Sequence, residues 1–208
     1  METTNFLAEF YDIESFQFSK PKKYKKTDFM VSKIKNKNKD PVLIQFPKMK
    51  IKNLDETKMI FDMEMVNETG YTKKVVSFLS KLDTFIVNYI FTQSEAWFDK
   101  SIPLENVKGM YKKDDFVRFV YDKAKSQVID KKNETQSVSE LQIGVTLECI
   151  AQLKYIVFTK DTCFFHWEIC TAKIYKQLLR VPKFGFVEDT LDNSDNELSD
   201  EENIVTFF

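Results

Sequence analysis

Two long alternating segments constrain what this chain can fold into more than anything else in it. Val145, Leu147, Cys149, Ala151, Leu153, Tyr155 and Val157 recur at every second position, and Cys163 to Tyr175 repeats the pattern. In the second segment Phe165, Trp167 and Ile169 share one face, and Phe164, His166, Glu168 and Cys170 share the other. Period two is the mark of a strand, because successive side chains point to opposite faces. Thr159-Lys160-Asp161-Thr162 reads as the turn that pairs the two as a hairpin. Strands of this length twist, so the pair curls into a barrel or a strongly bent sheet.

The remaining elements fit a small barrel. Val42-Leu43-Ile44-Gln45-Phe46 opens a strand, and beyond Pro47 the residues Met49 and Ile51 alternate with Lys48, Lys50 and Lys52. That is a half-buried strand with a basic outer face. Asn53-Leu54-Asp55-Glu56 reads as a turn, and Met59, Phe61, Met63 and Met65 as a second strand. Over residues 72–92 the apolar period changes to three and four, through Val75, Phe78, Leu82, Phe85, Ile86 and Ile90, which predicts a helix. Ser94 to Phe98 follows as a short turn or helix, and Pro103 opens another that ends near Gly109. Phe116 to Tyr121 is a strand, and the polar residues 123–140 read as a loop.

Net charge misleads as an average. The chain carries 31 bases and 32 acids, but residues 188–208 hold eight of the acids and no base, so residues 1–187 have 31 bases against 24 acids, a net +7. Residues 20–52 hold twelve lysines and two aspartates, starting from Lys20-Pro21-Lys22-Lys23-Tyr24-Lys25-Lys26. A basic body with an acidic end points to a polyanion-binding domain whose appendage opposes or redirects binding. The expected organisation is an N-terminal extension with a lysine-rich arm (1–40), a barrel domain (41–187) and a disordered acidic tail (188–208).

The usual catalytic signatures are missing. Four glycines, Gly70, Gly109, Gly144 and Gly185, form no phosphate-cradling or nucleophile-elbow motif. His166 is the one histidine and reads as a satisfied strand residue. Cys149, Cys163 and Cys170 lack CxxC spacing and read as buried apolar cysteines. No metal and no cofactor is expected, and the chain reads as a binding protein rather than an enzyme. Met1 to Phe10 lacks a basic-then-apolar signal pattern and no apolar run reaches 18 residues, so an intracellular protein that does not cross a membrane is expected.

Cations that track a backbone and aromatic faces that stack on bases are the two needs of single-stranded nucleic-acid binding. A five-stranded OB barrel meets both. The candidate contacts are Lys22, Lys23, Lys25, Lys26, Lys48, Lys50, Lys52, Arg118, Lys154 and Lys173 for phosphates. Phe46, Tyr121, Tyr155 and Trp167 are candidates for bases, with Phe158 and Tyr175 also considered. The fold class expected is mainly β with inserted helices (α+β), an OB-fold-like barrel plus the acidic tail. Two other readings stay open: a virion or assembly protein with a basic nucleic-acid-contacting arm, and an adaptor that binds duplex DNA.

A resemblance sharpens this expectation. Phe78 to Asp83, Asn88-Tyr89, Ser94 to Phe98, Glu105 to Tyr111, Leu147 to Leu153, Trp167-Glu168-Ile169 and Ala172-Lys173-Ile174 resemble single-stranded DNA-binding proteins of nucleocytoplasmic large DNA viruses. That family is similar to phage OB-fold proteins with an acidic tail ending in phenylalanine. The resemblance spans roughly residues 40–208. It implies single-stranded DNA as ligand, a role in viral replication, recombination or repair, and a host-cytoplasmic location. It also implies pairing of two copies, and a polymerase or helicase docked by Asp200, Glu201, Glu202, Phe207 and Phe208.

Overall fold

A computed structural model describes residues 7–24, 27–66, 68–112 and 116–175. Residues 1–177 cluster as one compact unit. Three short N-terminal strands, β1 (Gln17–Phe18), β2 (Lys22–Lys23) and β3 (Met30–Lys35), precede the long β4 (Val42–Asp55) and its hairpin partner β5 (Ile60–Met65). Then come two helices, α1 (Gly70–Phe98) and α2 (Leu104–Met110), followed by β6 (Val117–Tyr121), β7 (Gln127–Ile129) and β8 (Thr135–Gln136). The hairpin β9 (Thr146–Phe158) and β10 (Cys163–Tyr175) closes the fold.

Five strands form a closed barrel in the order β4–β5–β6–β10–β9, with β9 pairing back to β4. All pairings in this ring are antiparallel except β6 against β10, which is parallel. The fold is mainly β with inserted helices, an OB-type barrel, as expected. The barrel is filled by alternating residues that have essentially no exposure: Ile44, Phe46, Met49, Ile51, Phe61, Met63, Phe119, Leu147, Ala151 and Leu153. Phe46 meets Phe119 and Trp167 edge-on, with ring centroids 4.9 and 5.1 Å away.

α1 is one helix of 29 residues, longer than the 72–92 span expected, and Ser94 to Phe98 continue it. Thr69 starts it by accepting a hydrogen bond from the Thr72 amide, and Asp99 stops it in the left-handed conformation. An 18-residue window of α1 reaches a mean hydropathy of 1.2, enough by length and composition to cross a membrane. Here its stripe of Val75, Phe78, Leu82, Ile86, Ile90 and Trp97 is buried in the core. Tyr71 anchors one end by donating to the Gln45 carbonyl on β4, and Trp97 and Phe98 pack on Phe158 at the other.

Three expectations need correction. Asn53, Leu54 and Asp55 are not a turn but the end of β4, paired with Asp62, Phe61 and Ile60, so the turn falls at 56–59; the strand runs on from Val42 past Pro47 through a register shift between Phe46 and Met49. Residues 123–140 are not only loop, since β7 and β8 lie there, anchored by the buried Val128. The lysine-rich segment is not a free arm. β3 pairs with β9, and β2 with β3, so Lys22 and Lys23 are part of the sheet.

Candidate nucleic-acid interface

Two bulges decide which side chains reach the outer face. Along β9 the inward residues are Leu147, Cys149, Ala151 and Leu153. If the alternation had held, Tyr155 and Val157 would continue this inward series. Instead the register shifts: His166 pairs with Tyr155 but Trp167 pairs with Leu153, which leaves Lys154 as the extra residue. A bulge adds one residue and reverses the phase of the strand beyond it. Ile156 and Phe158 therefore turn inward, and Lys154 and Tyr155 both face out. A second shift, between Ile169 and Thr171, does the same at Cys170 on β10.

Opposed residues in a sheet share a face, so the register builds rows. Lys33 of β3 is opposite Tyr155 of β9, which is opposite His166 of β10. His166 stands one residue before the Trp167–Phe119 pair and so is level with Arg118 of β6, which is opposite Asp62 of β5. A single row, Lys33–Tyr155–His166–Arg118–Asp62, thus crosses five strands. Tyr155 lies 5.6 Å from the His166 ring and 6.1 Å from Tyr24, which in turn stacks on Phe29 at 5.9 Å. All four rings are partly exposed, and Lys22, Lys33 and Lys35 beside them are exposed.

The charges of this row are partly matched. Arg118 grips Asp62 through two hydrogen bonds, Nε to Oδ1 at 2.7 Å and Nη2 to Oδ2 at 3.2 Å. Lys154 donates to Glu168 at 2.6 Å and lies 5.6 Å from the Tyr155 ring centroid. His166 is 4.0 Å from the same Glu168 carboxylate. Burial lowers the His166 pKa; Glu168 opposes this and Lys154 adds to it, so the imidazole is neutral near pH 7.

Next to the row, Phe164 and Phe116 border a groove between α1 and the β5–β6–β10 flank, a cavity of about 530 Å³. Strands 2 and 3 and the hairpin loops are where OB barrels take oligonucleotides, and β5, β6 and the Thr159–Thr162 turn hold those places here. Tyr111 and Lys112 close one side, and the Tyr111 hydroxyl donates to Asp83 of α1 at 2.6 Å.

The expected contact residues divide into three sets. Tyr155, Lys154 and Arg118 come together on the row, with Lys22 and Lys23 on the neighbouring β2. Lys48, Lys50 and Lys173 lie at the opposite end of β9, since Lys50 pairs with Thr146 and Lys173 with Glu148. There Lys48 and Lys131 stand 4.5 and 5.4 Å from the Tyr175 ring, and burial with Glu148 pushes that phenol up to about 12. Lys52 falls at a register shift of β4 and pairs with Glu64 at 2.6 Å. The third set is a correction. Phe46, Trp167 and Tyr121 are 0%, 3% and 6% exposed, as is Phe158 at 3%, and a ring enclosed by the core offers no face to a base. Lys25, Lys26, Asp200, Glu201, Glu202, Phe207 and Phe208 lie outside the described residues.

Lys33, Phe116, Phe164 and His166 were not among the sequence candidates. Alternation already placed Phe164 and His166 opposite Trp167, so their outward aim had a signal. Lys33 and Phe116 gain theirs only from strand pairing. Among the described residues, no cluster of three or more His, Cys, Asp and Glu side chains is arranged to hold a metal ion. A scan of protein-family models finds no match to this chain, and a search of curated proteins finds no similar sequence.

Proposed function

We propose that this chain binds single-stranded DNA without sequence preference and supports viral DNA replication, recombination or repair. The observation that carries the reading is the row Lys33–Tyr155–His166–Arg118 on the outer face of an OB-type barrel, with the Phe116–Phe164 groove beside it. Base stacking on partly exposed rings is indifferent to sequence, because every base has a π face. Lysines at the row's margin supply phosphate contacts that strengthen as salt falls. The net +7 of residues 1–187 supports the same reading, and the resemblance to the viral family supplies its biological setting.

In this proposal the eight acids of residues 188–208 and the terminal Phe207-Phe208 recruit a replication protein, a polymerase or a helicase. Titration of the full chain with labelled single-stranded DNA, duplex DNA and single-stranded RNA tests the reading. Single-stranded DNA should bind at least about tenfold more tightly than duplex, with a log–log salt slope of about −0.7 per phosphate contact. Equal affinity for duplex would favour the adaptor. Absence of binding to all three would leave an assembly protein.

A further inference from the structure

The groove beside the row has a volume of about 530 Å³, room for more than a ring laid on an open sheet. We propose that it is a pocket for one nucleobase turned out of the bound strand. The inference rests on the single-strand-binding reading and adds a specific place for a base. A volume of about 530 Å³ is within the range of small-molecule sites, roughly 300–1,000 Å³. Aromatic rings from separate parts of the chain line it: Phe116 ahead of β6, and Phe164 and Phe165 on β10.

The lining is not uniformly apolar. Ser80 and Asp83 of α1 and the Tyr111 hydroxyl form a polar part of the wall. Burial and the bond to Asp83 raise the Tyr111 phenol well above its ordinary pKa, so it keeps its proton and stays a fixed donor to the carboxylate. An aliphatic ligand would match the rings but make no use of this polar wall. A nucleobase has both an apolar π face for the rings and a hydrogen-bonding edge for the polar wall. Lys112 and Arg118 line the same cavity, where the flanking phosphates of an inserted nucleotide would lie.

Continuity gives the strand a route. Phe164 lines the groove and is opposite Val157, on the same outer face as Tyr155 and His166. A strand stacked on Tyr155 therefore reaches the pocket without leaving the sheet. Turning out a base costs least when it is not paired, so a single strand can fill the pocket and a duplex cannot without opening.

Photocrosslinking decides it, with an oligonucleotide in which every thymidine is replaced by 5-iododeoxyuridine, bound to the full chain and mapped by peptide mass spectrometry. Uniform labelling removes any dependence on where the strand sits. The expected result is crosslinks at Tyr155 and also at Phe116 or Phe165. Val76→Trp fills the cavity from an exposed position of α1, where Val76 is 51% exposed, so the core is untouched. In that variant the groove crosslinks should fall about tenfold while the Tyr155 crosslink persists. Crosslinks at Tyr155 alone in the native protein would overturn the pocket and leave single-strand binding standing. So would groove crosslinks that Val76→Trp does not reduce. Failure of the native protein to bind the oligonucleotide would overturn both.

Discussion

Tyr155 and Phe46 show how one residue type can serve two ends of the same sheet. Both are aromatic residues on barrel strands, yet Phe46 has no exposure and Tyr155 is partly exposed beside His166. Phe46→Ala should cost about 3–5 kcal/mol of stability, the usual loss for a buried ring and the cavity it leaves. Tyr155→Ala should instead weaken single-stranded DNA binding by about 1–3 kcal/mol, the worth of one stacked base, and change stability little. Urea melts and anisotropy titrations of the two variants separate the effects. A large stability loss at Tyr155 with unchanged binding would remove it from the interface. His166 carries a different signature. Its pKa is lowered in the fold, so below about pH 6.5 the unfolded chain binds the extra proton more readily. Stability contributed by the neutral imidazole is therefore present above that range and lost as pH falls through the folded pKa. Between about pH 7 and pH 5 the melting temperature of His166→Gln should fall less than that of the native chain. Equal slopes would mean that the imidazole is not desolvated as its place between Tyr155 and Glu168 requires.

At the scale of elements, legibility in the sequence tracked how many side chains each element buries. α1 buries Val75, Phe78, Leu82, Ile86 and Ile90 at helical spacing, so its existence was plain, while its true end at Phe98 depends on tertiary packing of Trp97 and Phe98 against Phe158. β3 buries Val31, Ser32 and Ile34 next to Lys33 and Lys35, a pattern too short and uneven to stand out from a solvated basic run, and its pairing with β9 is what makes it a strand. The bulge at Lys154 had no compositional mark, because it inserts one ordinary residue, yet it alone brings Tyr155 out of the barrel. The candidate site was legible to the extent that the alternation held: Tyr155 was among the candidates, but alternation set it with the inward residues, and only the bulge turns it out. The helix start is a local device and can be tested as one. Thr69 accepts the Thr72 amide hydrogen bond at 3.1 Å, so Thr69→Ala should cost about 1 kcal/mol of stability, with Thr69→Ser nearly neutral. Chemical denaturation that shows no difference between Thr69→Ala and native would mean that the cap contributes nothing to α1.

At the scale of the whole molecule, the described residues carry two basic regions rather than one. Lys22, Lys33 and Lys35 flank the aromatic row, whereas Lys48, Lys50 and Lys173 cluster near Tyr175. Along β9 the two are nine residues apart, from Thr146 to Tyr155, roughly 30 Å at about 3.3 Å per residue. Between them Leu43, Gln45, Ile150 and Gln152 carry no charge, Glu148 is opposite Lys173, and Glu168 is paired with Lys154. Stacked rings add to what phosphate contacts supply, so the region with Tyr24, Phe29, Tyr155 and His166 should dominate over the one with Tyr175 alone. Lys22→Ala, Lys33→Ala and Lys35→Ala combined should lower the log–log salt slope for single-stranded DNA by about 2, at about 0.7 for each phosphate no longer neutralised. Lys48→Ala, Lys50→Ala and Lys173→Ala combined should change it by less than about 1. All six lysines lie away from the barrel interior, so both triple variants should melt close to the native temperature. A salt series of anisotropy titrations on the three proteins gives the slopes directly. If the second set lowers the slope more than the first, the strand crosses the Tyr175 end of the barrel, and the Tyr155 row is not where single-stranded DNA is held.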